Sequence, residues 1–585
     1  MTHPQRGAVD LDRTDLEPAP PPAAGAVDRP PPGPATGRSL GGVLEALGPL
    51  RFVVYGLVVI GLLAQMAAGM ITAAREQSPT TDEVAYVAAA TIYLKEHSLE
   101  YNFEHPPLAK LLMTAGLANT HIDVGDHAGL SQWTLGPQIL FQEGNDAQQM
   151  IYLARLPLII LTLLFGLVVF AFARDLVGPV GGLVALALYS FSPDVIGYGS
   201  LAGVDMPATG FLVTSLWLAW RARRHPYVYL PLCGLALGAA LASKMNTLPA
   251  VPLIMALAAL SVRHAWRTCR PAGGAYVRFL LAGLGAAVGV AAVAFLGIWA
   301  VYFAVDPRLR WTSPPGLPAV PGLMGYVVDL LPVPRPYRDG MRVQLGYEHQ
   351  VFGGFLFGER YVGARWYYLP AALLVKEPLG MLALWPLGIG AMVAVRRVRV
   401  AAWYVLLPCA AMLAVAMSGA RDFGVRYAIF VPVLLAVAAG CVVAYRWRWV
   451  QLLALPLLVF VAISSLRTFP YYLPYSNEAF GGPSKTYLHL GDSNVDWGQD
   501  MARLATYLNE HYPGEQVWLV YKGRDLPDYY GIDAVGPLNK PPEKVHGLLA
   551  VSVSRLPGAD GTMRELLAGS TKIADIGHSI FVYRR

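Results

Sequence analysis

The sequence predicts a polytopic α-helical membrane protein with about eleven transmembrane helices and a small α/β domain near its C-terminal end. Three observations support this fold class. The chain of 585 residues is 55% hydrophobic and 14% charged, which is too apolar for a soluble protein of this size. Several apolar runs reach the roughly 20 residues that a helix needs to cross a bilayer. After residue 467 the polar residues return in the proportion of a soluble domain.

The chain divides into three predicted regions. Residues 1–45 are rich in Pro, Ala and Gly, which predicts a disordered cytoplasmic tail. Residues 46–466 form the predicted transmembrane domain, with large external loops at 74–152 and 304–378. Its predicted spans lie near 50–73, 153–173, 177–197, 206–220, 227–243, 247–262, 279–303, 379–395, 401–418, 427–445 and 449–466.

The third region, residues 467–585, is predicted to be a soluble extracytoplasmic domain. An amphipathic pattern predicts a helix over about 496–510. Strand-like runs follow at 516–521, 548–553 and 579–583. Together they predict a compact α/β unit.

Basic residues collect in alternate loops, which sets the predicted orientation by the positive-inside rule. This rule predicts a multi-pass protein of the plasma or inner membrane with a cytoplasmic N-terminus and an extracytoplasmic C-terminal domain. The net charge of +6 is then explained by cytoplasmic loops, so no nucleic-acid partner is predicted. The residues concerned are Arg174, Arg221, Arg223, Arg224, Arg263, Arg267, Arg270, Arg278, Arg396, Arg397, Arg399, Arg446 and Arg448.

The same orientation places nearly all carboxylates and histidines on the external face. A transporter or channel is expected to keep ionisable groups at the middle of its spans, where substrates and ions pass. Here the predicted spans are almost free of Asp, Glu and Lys. The asymmetry favours chemistry at one membrane surface over transport.

The first external loop holds the densest group of titratable side chains. Asp82 and Glu83 stand just beyond the first apolar run, and the loop continues to His105 and Lys110. Two adjacent carboxylates also favour an ordinary helix start, where they face the positive end of the helix dipole. The pair alone therefore does not decide between the two roles.

The context of this pair resembles a known family. The letters TDE at 81–83, followed by FEHPPLAK at 103–110, are similar to the first external loop of protein O-mannosyltransferases, which carry a DE pair and HPPLGK. These enzymes are GT-C glycosyltransferases of the family 39 kind, together with the lipid A aminoarabinose transferases. The latter usually have Lys-Pro where this chain has His105 and a proline, so the chain is closer to the O-mannosyltransferase pattern.

The resemblance implies a GT-C membrane fold with external catalytic loops and an inverting transfer by direct displacement. The sugar, a hexose such as mannose, would come from a polyprenyl-phosphate carrier and pass to an acceptor hydroxyl. Asp82 then becomes the catalytic base, which takes the acceptor proton. Glu83 points elsewhere on the same turn and is expected to orient the acceptor. His105 and Lys110 are expected to position the donor.

Four further residues are predicted to bind the donor phosphate or its lipid. Asp205 begins a predicted span on the outer face, although it also suits a helix N-cap. Lys244 resembles the family's lysine at the end of such a span, although an interfacial lysine can also snorkel. Arg421 and Arg426 lie in a short external loop against the positive-inside bias, and a guanidinium there would grip phosphate bidentately.

The predicted partners are a polyprenyl-phosphate-linked sugar, the lipid bilayer, and an acceptor that is a protein, a lipid or a polysaccharide. No Cys/His spacing predicts a metal site, and the need for a divalent metal stays open. The alternative function is a transporter or flippase of lipid-linked glycans, which should survive conversion of Asp82 to Asn.

A second motif, GDSNVDWGQ at 491–499, follows the last predicted span. It resembles a DSNxDWGQ motif in uncharacterised bacterial members of the same superfamily. Two roles stay open for it from the sequence: contact with the acceptor, or capping of a helix.

Overall fold

The computed structural model describes residues 48–269, 275–557, 559 and 561–585. Pro49–Arg585 form one compact unit. The predicted tail at 1–45 lies outside the described residues, and so does Arg270 of a predicted cytoplasmic loop.

Helices dominate the first half of the described chain, because its apolar runs are rich in Leu and Ala and carry few helix breakers. They are α1 (Leu50–Glu76), α2 (Thr81–Glu96), α3 (Leu108–Leu117), α4 (Gln132–Pro137), α5 (Ala147–Val177), α6 (Pro179–Ser190), α7 (Pro193–Gly199), α8 (Asp205–Arg221), α9 (Pro226–Leu241), α10 (Ala250–Cys269) and α11 (Ala275–Val305).

The next segment carries an external excursion and then further apolar helices. Its elements are α12 (Gly322–Leu330), α13 (Arg335–Tyr347), the antiparallel hairpin of β1 (Gly353–Leu356) and β2 (Glu359–Val362), α14 (Tyr368–Lys376), α15 (Leu379–Ala394), α16 (Ala402–Met417), α17 (Phe430–Gly440) and α18 (Arg448–Thr468). Each predicted apolar run thus coincides with a helix, and most boundaries agree within a few residues.

Fewer of these helices are long enough to cross a membrane than the sequence predicts. Five described helices pass by length and composition, or up to seven if each of two bent pairs is one span. The pairs are α6 with α7, bent by 62°, and α14 with α15, bent by 118°. A helix of 16 residues, such as α9, is about 24 Å long, which is shorter than the roughly 30 Å hydrocarbon core. The structure shows a mostly helical protein with these spans, and the count of about eleven is not confirmed.

Small residues let the helices approach closely. On α9, an added Cβ at Gly234 would lie 2.8 Å from the Val290 carbonyl oxygen of α11, and at Gly238 it would lie 2.6 Å from that of Ala294. Without side chains at these two positions the backbones of α9 and α11 pack directly, as is typical of helix pairs in membranes.

The C-terminal residues form a five-stranded sheet beside helices. The elements are α19 (Met501–His511), β3 (Val517–Val520), β4 (Ala534–Val535), β5 (Leu548–Ser552), α20 (Gly561–Ala568), β6 (Thr571–Ile576) and β7 (Ile580–Arg584). The strand order is β4-β3-β5-β7-β6, with β3 parallel to both neighbours and β7 antiparallel to both of its own.

The predicted helix and three predicted strands of this region are present, as α19, β3, β5 and β7. The sequence misses β4, which has two residues, and β6, which is largely exposed and has no apolar alternation. The predicted domain boundary at residue 467 stays a prediction. The residues just after it pack on the helices, with the Tyr472 ring against Gly69 of α1.

Candidate active site

The candidate site begins at the N-terminus of α2. Asp82 and Glu83 both lie in the first helical turn, where the helix dipole favours carboxylates. The backbone N–H of Thr80 donates to Glu83 Oε2 at 2.8 Å, which caps the helix. The two side chains have different environments: Glu83 is 1% exposed, whereas Asp82 is 20% exposed.

Glu83 makes a fully buried ion pair with Arg155 of α5. The guanidinium donates from Nε to Oε1 and from the second terminal nitrogen to Oε2, both at 2.7 Å. The backbone N–H of Ala202 adds a bond of 2.6 Å to Oε1. Burial alone would raise the pKa of the Glu83 carboxyl, but Arg155 and the backbone amides outweigh it, so the pKa lies below its ordinary value.

These contacts bear on the expected role of Glu83 in orienting the acceptor. Both of its oxygens are occupied by protein donors, and the side chain faces away from solvent. The acceptor role stays a prediction, while the geometry gives Glu83 a different task. It fixes the start of α2 against α5, next to Asp82.

Asp82 contacts a residue far along the chain. Its Oδ2 accepts a hydrogen bond of 2.7 Å from a terminal nitrogen of Arg426. The guanidinium of Arg426 lies 4.2 Å from the centroid of the Trp497 ring, which supports it from below. Asp82, Asp205 and Trp497 line one small cavity, together with Tyr86 and Tyr198. The structure therefore brings the predicted base and a predicted phosphate-binding residue into direct contact.

Three cations surround one tyrosine ring. Lys244 Nζ lies 4.8 Å from the Tyr427 centroid, the Arg426 guanidinium carbon 5.3 Å and the Arg421 guanidinium carbon 5.8 Å. We call Lys244, Arg421 and Arg426 the cationic cluster. An aromatic face attracts cations, so Tyr427 holds like charges together that would otherwise repel each other.

Carboxylates partly balance the cationic cluster. Asp205, the first residue of α8, pairs with Lys244. Arg421 pairs with Glu348 at 3.0 Å. Within the described residues, the Nε groups of Arg421 and Arg426 are buried and have no hydrogen-bond partner. Such unpaired donors are costly to bury, so they are suited to receive an anion.

Lys110 has a structural environment. Its Nζ donates to the Asn102 carbonyl oxygen at 2.5 Å, to Asn102 Oδ1 at 2.9 Å and to the His105 carbonyl oxygen at 2.8 Å. An ammonium has three donors, and all three are used. The predicted contact of Lys110 with the donor stays a prediction, and the geometry shows a lysine that shapes the loop before α3.

His105 lies nearer the cationic cluster. Its ring packs edge-on against Tyr86, with centroids 5.6 Å apart. Its Nδ1 is buried without a partner in the described part of the chain. Burial lowers the pKa of His105 well below its ordinary value, and Lys244 and Lys110 lower it further. The imidazole is therefore neutral near pH 7 and can accept as well as donate a hydrogen bond.

The sequence alone does not indicate the buried pairing of Arg155, the central place of Tyr427 in the cluster, or the contact of Trp497 with Arg426. An arginine inside a long apolar run is a detectable signal, since a charge there needs a buried partner. The tyrosine and tryptophan carry no comparable signal, because aromatic residues are common throughout this chain.

A cavity of about 410 Å³ lies beside the site. It opens between the β1–β2 hairpin and the 491–499 motif. Asp422 and Phe423, from the same loop as Arg421 and Arg426, line it. In the described ranges, no three His, Cys, Asp or Glu side chains are grouped so as to hold a metal ion.

Comparison with known proteins adds independent evidence. The model of the dolichyl-phosphate-mannose-protein mannosyltransferase family matches residues 147–293, about a quarter of the chain. The predicted family resemblance is confirmed. Asp205 and Lys244 lie inside the matched segment, whereas the motifs at 81–110 that predicted the resemblance lie outside it. The predicted enzyme class, a transferase, agrees with this family match.

Solved structures of low identity are also similar. ArnT from Cupriavidus metallidurans bound to undecaprenyl phosphate has 15% identity and a TM-score of 0.48, over 92% of this chain and 98% of that one. The S. cerevisiae protein O-mannosyltransferase Pmt1-Pmt2 complex bound to the sugar donor has 18% identity and a TM-score of 0.34, over 45% and 35%.

The archaeal oligosaccharyltransferase AglB from Archaeoglobus fulgidus, in complex with an inhibitory peptide and a dolichol-phosphate, has 13% identity and a TM-score of 0.39. It covers 78% of this chain and 58% of that one. No curated protein sequence matches the chain.

Proposed function

We propose that this protein transfers a sugar, a hexose such as mannose, from a polyprenyl-phosphate carrier to an acceptor hydroxyl. The reaction takes place on the extracytoplasmic face of the plasma or inner membrane. The observation that carries the proposal is the contact between Asp82 and Arg426 beside two further cations, Lys244 and Arg421. Among the described residues, the Nε groups of Arg426 and Arg421 have no hydrogen-bond partner. A carboxylate next to an anion site is what sugar transfer from a phosphate requires.

The proton of the acceptor goes to Asp82. As the acceptor oxygen forms a bond to the anomeric carbon, its hydrogen passes to the free oxygen of the Asp82 carboxylate. The bond between the anomeric carbon and the carrier phosphate oxygen breaks on the opposite side. Direct displacement of this kind inverts the anomeric configuration.

The electrons of the broken bond remain on the phosphate, so negative charge grows on it. The cationic cluster stabilises that charge, and Arg426 has the most direct part. One terminal nitrogen of its guanidinium holds Asp82 while its Nε is unpaired. A guanidinium is planar and offers five donors, so a single arginine can contact base and phosphate together. Lys244 and Arg421 complete the phosphate site, with His105 and Asp205 beside them.

The experiment compares envelope material from cells that carry the native protein, Asp82→Asn, or Asp329→Asn at equal abundance. Asp329 is a matched control, because this carboxylate also pairs with an arginine, Arg342, at 2.8 Å, but is exposed. Mass spectrometry is applied separately to secreted peptides, lipids and polysaccharides.

We expect Asp82→Asn to lose one glycan and Asp329→Asn to keep it. Loss of a hexose from Ser/Thr peptides identifies a protein acceptor, and loss confined to lipid or polymer identifies that acceptor instead. Unchanged glycans in all fractions contradict the proposal and favour a transporter of lipid-linked glycans.

A further inference from the structure

The 491–499 segment lies between the two parts of the site that are far apart in sequence. We infer that this segment is a strut that sets the position of Asp82 relative to Arg426, with Asn494 and Trp497 as positioning residues. The inference rests on the function proposed above, and it gives a role to a motif that the sequence leaves open.

One side of the strut holds the start of α2. The carbonyl oxygen of Trp497 accepts hydrogen bonds from the backbone N–H of Thr81 at 2.8 Å and from its hydroxyl at 3.0 Å. The carbonyl oxygen of Gln499 accepts one from the N–H of Ser78 at 3.0 Å. Thr81 directly precedes Asp82, so these bonds fix the backbone that carries the proposed base.

The other side holds the loop that carries Arg426. Asn494 Oδ1 accepts a hydrogen bond of 2.9 Å from the N–H of Val425. The Ser493 hydroxyl donates to the carbonyl oxygen of Phe423 at 2.5 Å. The Trp497 ring lies under the Arg426 guanidinium. Trp497 thus contacts both halves of the site, with its carbonyl on one side and its ring on the other.

The strut itself is buried and held by further hydrogen bonds. Asn494 donates from Nδ2 to the Tyr368 hydroxyl at 2.9 Å, and its carbonyl oxygen accepts from Lys376 at 3.0 Å. Gln499 Oε1 accepts from the Trp497 N–H at 2.7 Å. Asn494 is 0% exposed and Gln499 1%. A buried polar network whose members are paired is rigid and specifies one arrangement.

The strut also connects the site to the C-terminal sheet. Asp496 Oδ2 accepts from the backbone N–H of Ser554 at 3.2 Å, just beyond β5, and its Oδ1 accepts from the N–H of Gly498 at 3.2 Å. The segment just beyond β5 therefore supports the strut. Reacting groups that shift by about 1 Å can lose roughly 10²-fold in rate, so such bracing has a direct effect on catalysis.

The test measures binding of undecaprenyl phosphate, a polyprenyl phosphate without sugar, to the purified full-length protein in nanodiscs. Trp497→Leu removes the aromatic face under Arg426, and Trp497→Phe keeps one. Both leave the backbone bonds to Thr81 in place. Trp518→Leu is the matched control, because Trp518 is a partly buried tryptophan of the C-terminal sheet outside the strut. Each Trp497 variant is also made in the Arg426→Ala background.

We expect Trp497→Leu to weaken binding roughly 10-fold and Trp497→Phe to recover most of the loss. In the Arg426→Ala background, Trp497→Leu should cause little further loss, because it acts through the guanidinium. Equal losses in both backgrounds, or a phenylalanine variant as weak as the leucine variant, overturn the inference. If the native protein does not bind the probe at all, the proposed function itself fails, and the inference with it.

A second measurement needs no ligand. Hydrogen exchange of Asn494→Ala is compared with that of Ser476→Ala, a matched loss of a buried polar side chain whose bond lies outside the strut. If Asn494→Ala does not fold, Ser493→Ala replaces it. A strut predicts faster exchange at both 78–83 and 421–428 in the strut variant. Faster exchange at neither segment, or at 421–428 alone, contradicts the inference.

Discussion

Two neighbouring carboxylates in this chain have opposite environments. Glu83 is buried in a bidentate pair with Arg155, with backbone donors on both oxygens. Asp82 is partly exposed and makes a single contact with Arg426. The Arg155 guanidinium donates its remaining hydrogen bonds to the carbonyl oxygens of Ala74, Gln77 and Ser78. By contrast, Arg426 Nε has no partner among the described residues.

The difference separates a structural ion pair from one that is suited to chemistry. A pair whose donors and acceptors are all used cannot take part in a reaction without being dismantled. A pair with one open carboxylate oxygen and unpaired donors can accept a proton and bind an anion at little cost. Two adjacent carboxylates, each paired with an arginine, are therefore suited to different tasks.

The largest effect on stability should come from Glu83→Gln. The amide leaves Arg155 as an uncompensated buried charge, which costs about 3–5 kcal/mol in the free energy of unfolding. The measurement is the thermal denaturation midpoint and the folded yield in detergent. Asp82→Asn is the matched control, and it should stay within about 1 kcal/mol of the native protein. Equal stability of the two variants would remove the distinction between the pairs.

Arg426→Lys should weaken binding of undecaprenyl phosphate by roughly 10- to 100-fold, because lysine cannot hold Asp82 and phosphate in the same fork. The fold should persist, since the charge is kept. Arg342→Lys, an exchange in an external ion pair outside the cluster, is the control and should leave the affinity unchanged. An unchanged affinity in Arg426→Lys would show that the unpaired donors do not receive the phosphate.

Lys110→Met sharpens the contrast within the predicted donor-binding residues. The substitution leaves two buried oxygens and one partly buried oxygen without their donor, which costs about 2 kcal/mol of stability. Carrier affinity of the folded protein should stay near the native value. A carrier affinity that falls as far as in Arg426→Lys would assign Lys110 to the phosphate site.

The smallest effect concerns pH. The pKa of His105 in the folded protein lies below its ordinary value, so the unfolded chain binds a proton first as pH falls. The stability contributed by the neutral ring is present above about pH 6.5 and is lost below it. His105→Gln should therefore flatten the fall in melting temperature between pH 7 and 5. The exposed control His546→Gln should not, and equal slopes in all three proteins would contradict the buried neutral imidazole.

The positions of the helices could largely be predicted, because each helix is indicated by its own local sequence pattern. Long apolar runs such as 279–303 and 449–466 identify helices within a few residues, because their pattern needs no distant partner. The number of membrane spans could not be predicted in the same way. The helices α9 and α17 are apolar but short, and bends such as that between α14 and α15 depend on packing.

The sequence selects candidate site residues, whose roles stay predictions, but it does not give their geometry. The family resemblance identifies Asp82 and Arg426, yet it does not show that residues 344 positions apart touch. Backbone carbonyl oxygens hold Lys110, and a sequence does not mark which carbonyls will converge. Glu83 resembles Asp82 in type and position, and only the buried Arg155 separates their roles.

We propose that Asp82 is the base and that the cationic cluster binds the carrier phosphate. The most direct test measures transfer and carrier binding on purified native protein and Asp82→Asn side by side. With donor and acceptor from the native envelope, transfer should fall by roughly 10²- to 10⁴-fold. Binding of undecaprenyl phosphate should be kept, because the cations remain. Transfer at the native rate by Asp82→Asn would contradict the account.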